Sequence, residues 1–125
     1  MILTLFQVAL GGAIGACLRF GVVHTMFRLT GSGFPLGVLC VNVLGSFLMG
    51  VMMILAIQRD IAWLNPFLMV GILGGFTTFS TFSMEAFTLF ERGQFAAAGT
   101  YVGLSVVLSL AALALGVWLS RGFLT

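Results

Sequence analysis

The densest grouping of residues that could do chemistry is the run Gly74-Gly75-Phe76-Thr77-Thr78-Phe79-Ser80-Thr81-Phe82-Ser83, followed by Glu85. Ser and Thr side chains compete for the backbone's own hydrogen bonds, and Gly frees the backbone conformation. The run therefore predicts a break in a helix. Carbonyls released at such a break and ringed by hydroxyls form a hard-oxygen site suited to a small cation. The same residues also read as a Gly/Ser/Thr packing seam, and the residues alone leave both readings open. Phe79 and Phe82 stand three apart, on one face if the helix resumes there. An aromatic ring has a positive edge, so Phe edges can contact an anion without hydrating it strongly.

Three further polar stripes recur at helical spacing. Tyr101, Ser105 and Ser109 lie at i, i+4 and i+8. Asn42, Ser46 and Gly50 share that spacing, as do Gly11, Gly15 and Arg19. Each stripe reads either as close helix packing or as a track of donors along a pore. Taken together they supply neutral donors and one Arg, and Glu85 is the discordant acid, three residues past Phe82 near the end of the same track. Cation pores tend to carry acidic rings, whereas anion pores use Arg or Lys. A small, partly dehydrated anion is the better fit.

Other chemistries are poorly served. No Ser has a His and an acid to activate it, the acids are not grouped as metal ligands, and there is no phosphate-binding or dinucleotide fingerprint, so the chain does not read as an enzyme. Cys17 and Cys40 sit singly in apolar stretches, and His24 stands alone. A net charge of +2 forms no basic stripe for nucleic acid.

The elements that must position these residues follow from composition. The chain has 125 residues, of which 61% are hydrophobic and 6% charged. Soluble domains carry about 25% charged residues, so the solvent for most of this surface is lipid. A span needs roughly 20 apolar residues. Four such helices fit, over about residues 2–27, 35–57, 64–90 and 95–119. They are separated by Gly31-Ser32-Gly33 with Pro35, by Gln58-Arg59-Asp60, and by Glu91-Arg92-Gly93-Gln94. The chain is thus an all-α integral membrane protein, a single transmembrane domain over residues 1–125, with its third helix broken mid-membrane. Met1 to Leu10 lacks the basic start of a cleaved signal. One end of the bundle holds Arg28 and Arg92; the other holds Arg59, Arg121 and the N-terminal amine. That near-zero bias permits insertion both ways and hence an antiparallel, dual-topology homodimer. Four helices also leave little room for an internal path, which again favours an oligomer.

The motifs resemble the CrcB/Fluc family of fluoride ion channels. The resemblance rests on the Gly74–Ser83 run with Glu85, on Gly37-Val38-Leu39-Cys40-Val41-Asn42 with Gly45, and on Gly11-Gly12-Ala13-Ile14-Gly15-Ala16 with Arg19. It implies a passive, fluoride-selective channel in the bacterial inner membrane that lowers cytoplasmic fluoride, built as an antiparallel dual-topology homodimer with two pores. By resemblance Phe79 and Phe82 line the fluoride path, with Asn42, Thr78, Tyr101, Ser105 and Ser109 as polar partners and Glu85 and Arg19 toward its ends. A structural sodium ion, not transported, is implied at the dimer interface on backbone carbonyls matching Gly74 and Thr77. Val38 and Phe76 stand where the family often has Thr and Leu.

Three rivals remain from the residues. A proton-coupled drug exporter needs a membrane-embedded acid in its first helix, which here has Arg19 instead. A scaffold subunit leaves the hydroxyl cluster with paired Phe unexplained. A cation channel using the carbonyl break as a filter is distinguished by whether sodium moves.

Overall fold

The computed structural model describes residues 1–31 and 33–124, without the side chain of Leu124. Ser32, one of the residues expected to interrupt the first two helices, lies outside the described residues.

Among the described residues, four helical spans are long and apolar enough to cross a membrane: Ile2–Thr30, Leu36–Gln58, Ala62–Glu91 and Phe95–Phe123. The first two are the continuous helices α1 (Ile2–Thr30) and α2 (Leu36–Gln58). α1 ends where the Gly31 amide donates to the Phe27 carbonyl at 2.8 Å, with Gly31 at φ 82°. That left-handed region suits a residue without a Cβ. α1 thus runs to Thr30, beyond the expected boundary at 27, because Arg28, Leu29 and Thr30 carry nothing that stops a helix before Gly31.

The third span is composite. A short 3₁₀ turn, Ala62–Leu64, leads into the π-helical stretch Pro66–Leu73 and then a single α-helical turn, α3 (Gly74–Phe76). Two extended residues follow: Thr77 at φ −87°, ψ 157° and Thr78 at φ −152°, ψ 123°. Winding resumes as α4 (Phe79–Glu91). The break therefore falls at the middle of the span. The last span is α5 (Phe95–Leu124), reached through a turn in which Gly93 takes φ 78°.

α2 packs chiefly on α5, and α1 on the first half of the third span. These approaches are backbone-close. A Cβ on Gly15 would run into the Ile72 carbonyl, and one on Gly50 into the Leu113 carbonyl. Without a hydrophobic force between helices in lipid, such close van der Waals packing is what associates them. Gly11, Gly15 and Gly50, read as members of polar stripes, are thus contact points between backbones. The buried core gathers Val38, Leu39, Phe82, Leu89, Ala98 and Tyr101, with Phe34 packed against it. It ties α2, α4 and α5 together on the far side of the break.

Candidate functional site

The break is held open by side chains from neighbouring helices. Asn42 on α2 grips the Thr78 backbone twice: its Nδ2 donates to the Thr78 carbonyl at 3.0 Å, and the Thr78 amide donates to its Oδ1 at 2.8 Å. The carboxamide takes the place of a peptide group and satisfies both polar atoms of an extended residue, which is required of backbone buried away from water. Thr78 caps α4, its Oγ1 accepting from the Thr81 amide at 3.2 Å. Thr77 closes the preceding turn, with its amide and its Oγ1 both donating to the Leu73 carbonyl at 3.0 Å. From α1, Arg19 Nε donates to the Gly75 carbonyl at 3.0 Å.

These bonds redirect donors. In a continuous helix the Thr78 amide would serve the Gly74 carbonyl and the Thr81 amide the Thr77 carbonyl. Here Asn42 and the Thr78 side chain take those amides instead. Two backbone oxygens near mid-span thereby lose their usual helical partners. They are hard donors of the type a hard cation accepts, so the residues fit a small ion such as sodium at Gly74 and Thr77. Gly45 on α2 lets Thr77 lie this close, since a Cβ there would overlap Thr77 Cγ2.

On the α4 side of the break lies an open groove of about 400 Å³. Asn42, Ser46, Thr78, Phe79, Phe82, Ser105 and Ser109 contribute to it. The structure therefore brings together six of the residues singled out for the path, from α2, the break, α4 and α5. Phe79 and Phe82 are adjacent, with ring centroids 5.4 Å apart and planes tilted by 47°. Their settings differ sharply: Phe79 is 77% exposed and Phe82 9%. Phe82 lies against Tyr101, centroids 5.3 Å apart. Tyr101 is fully buried, and neither its hydroxyl nor that of buried Ser105, one turn on, has a hydrogen-bond partner among the described residues. A buried unpaired polar group costs about 1–3 kcal/mol, and each such group calls for an explanation.

Three of the expected path residues do not line the groove: Tyr101, which packs against Phe82, and Arg19 and Glu85, which lie elsewhere. Arg19 supports the Gly75 carbonyl from the α1 side and does not line the groove. Glu85 lines a second, smaller cavity of about 180 Å³, together with Phe34, Thr88 and Arg92. The apolar wall of the groove, Met49, Val106, Leu110 and Leu113, was not singled out in the sequence, where such residues look like any others on an apolar helix. Ser46 had a signal, its place in the Asn42 stripe, but was not assigned to the path.

Comparison with known proteins bears on this arrangement. The family model described as "CrcB-like protein, Camphor Resistance (CrcB)" matches residues 6–117. A Ruegeria sp. (strain TM1040) protein named "Fluoride-specific ion channel FluC" is 56% identical over 126 residues, covering 100% of both chains. Proteins of the same name from Roseobacter denitrificans and Rhizobium etli are 52% and 50% identical, covering 95% and 93% of this chain and 96% and 94% of their own.

Proposed function

The chain belongs to the CrcB family, a family of ion channels and not of enzymes, and from that premise we propose that it is a passive, fluoride-selective channel. It is a multi-pass membrane protein. The observation that carries the reading is the pair of buried hydroxyls beside Phe82, Tyr101 and Ser105, without partners among the described residues. An anion passing along the groove is the missing acceptor for these donors. Phe79 and Phe82 present ring edges to it, Ser109 and Thr78 extend the polar lining, and Asn42 holds the wall in shape. Chloride, larger and less demanding of hydrogen bonds, gains less from such a lining.

The working unit is an antiparallel homodimer inserted in both orientations. Two features support this: the near-even split of basic residues between the two ends, and the exposure of Phe79 at 77% in a single chain, which leaves one side of the groove without a wall. Gly74 and Thr77 offer two carbonyls per chain, too few to enclose a cation. A second copy related by a twofold axis doubles them, and sodium bound there staples the interface without being transported. Glu85 acts toward an end of the path, and Arg19 holds the Gly75 carbonyl at the break.

The biological sense lies in acid chemistry. HF crosses membranes as a neutral molecule and dissociates in the more alkaline cytoplasm, trapping fluoride. A passive pore in the inner membrane releases it, each charge gaining about 2.3 kcal/mol per 100 mV of negative-inside potential. The released carbonyls also favour one second reading, a sodium-conducting filter. Tracer sodium flux separates the two: sodium retained in fluoride-conducting vesicles supports the structural role, and sodium passage supports the filter.

A further inference from the structure

The groove and the Glu85–Arg92 cavity are separated by a short stack of rings. Phe82, which lines the groove, meets Tyr101 at 5.3 Å, and Tyr101 meets Phe34 edge-on, with centroids 5.6 Å apart and planes at 86°. Phe34 in turn lines the smaller cavity. One fully buried tyrosine thus touches a ring from each side, and its hydroxyl has no partner among the described residues.

The chemistry of the smaller cavity suits an anion's entry or exit. Among the described lining residues, Arg92 is the only cation and Glu85 the only acid. The Thr30 and Thr88 hydroxyls both donate back to their own helices, to the Met26 and Met84 carbonyls at 2.7 Å, so the charges of the lining are one guanidinium, Arg92, and one carboxylate, Glu85. A guanidinium lining a small cavity attracts anions toward it. Gly31, Gly33, Phe34 and Pro35 line this cavity, and a Cβ on Gly31 or Gly33 would meet nothing within 4 Å.

We propose that the cavity framed by Glu85 and Arg92 is a mouth of the anion path, and that Phe34 is the ring closing its inner end against Tyr101. The inference rests on the fluoride-channel reading and adds Phe34 and Arg92 to it. Fluoride leaving the Phe82–Tyr101 contact passes beside Phe34, and Arg92 draws it toward water.

The test uses the full-length chain with Cys17 and Cys40 replaced by Ser, and either Phe34→Cys or Thr88→Cys added. Each protein is labelled in detergent with 2-sulfonatoethyl methanethiosulfonate, checked by mass spectrometry, reconstituted, and compared with its own unlabelled sample for fluoride efflux. Labelling should place a sulfonate in the mouth, lower efflux at least tenfold at both positions, and be reversed by dithiothreitol. Complete labelling with unchanged efflux overturns the proposal, as does failure of the reagent to reach either cysteine, since a mouth must be open to water. If the parent chain itself releases no fluoride, the channel reading fails, and that result is read separately from the labelling.

Discussion

Asn42 binds Thr78 by both ends of one carboxamide, donating to its carbonyl at 3.0 Å and accepting from its amide at 2.8 Å. Two consequences follow from this single contact. The Thr78 amide is withdrawn from the Gly74 carbonyl, and the extended backbone at the break is satisfied at a depth where water cannot do so. Asn42 shapes the wall of the groove as well as lining it.

Asn42→Asp keeps an acceptor for the Thr78 amide but replaces the donor with a carboxylate facing the Thr78 carbonyl. Loss of a partner for a buried group costs about 1–3 kcal/mol, and a fixed negative charge beside the groove opposes an anion. We expect fluoride efflux to fall at least tenfold, with a lower unfolding temperature in detergent. Normal efflux from the variant would reduce Asn42 to a packing residue.

Phe82→Ile removes the ring that lies between Phe79 and Tyr101. Volume is largely kept, so the fold should survive and elution on size exclusion should match the parent. Efflux should drop at least tenfold because the ring edge is lost. An Ile variant that conducts like the parent would place the path away from Phe82.

Gly45→Ala and Gly99→Ala make a matched pair. The first sets a methyl against Thr77 Cγ2, whereas the second meets nothing within 4 Å. Overpacking typically costs about 1–3 kcal/mol, while Gly to Ala in a helix interior gains about 0.5–1 kcal/mol. Thermal unfolding should therefore move down for Gly45→Ala and stay level or rise for Gly99→Ala. Equal shifts would mean that Thr77 is not held where the structure places it.

Arg19→Gln shortens the reach to the Gly75 carbonyl, now bonded at 3.0 Å, and removes the charge-assisted bond, worth about 1.5–3 kcal/mol in general. Stability should fall while chloride stays excluded. A gain of chloride flux would instead make Arg19 part of the selectivity mechanism.

Exchanging sodium for N-methylglucamine tests the proposed ion at Gly74 and Thr77. Removal should weaken dimer association and lower efflux, and sodium should restore both. Indifference to sodium on both measures would dismiss the site.

Much of this architecture was readable from residue types because lipid permits few solutions. Long apolar runs must be helices, and the Gly74–Ser83 run so favours interruption that Thr77 and Thr78 are indeed extended. The stripe Tyr101, Ser105, Ser109 pointed to one face, and the fold buries the first two together. What escaped notice depends on tertiary geometry. The π-helical winding of Pro66–Leu73 leaves no mark in a stretch of ordinary apolar residues. The Asn42–Thr78 contact joins positions 36 apart in sequence, and Arg19 reaches Gly75 across 56; no local pattern encodes such pairings. Phe34, one of 13 Phe in the chain, is singled out only by its position against Tyr101.

The central claim is selective, passive fluoride conduction, and the most direct measurement is efflux from proteoliposomes loaded with potassium fluoride. Release is read by a fluoride electrode after valinomycin is added, with chloride-loaded vesicles in parallel. The account predicts rapid fluoride release and no chloride release above that of empty vesicles. Well-folded protein that releases no fluoride, or that releases both ions alike, would contradict it.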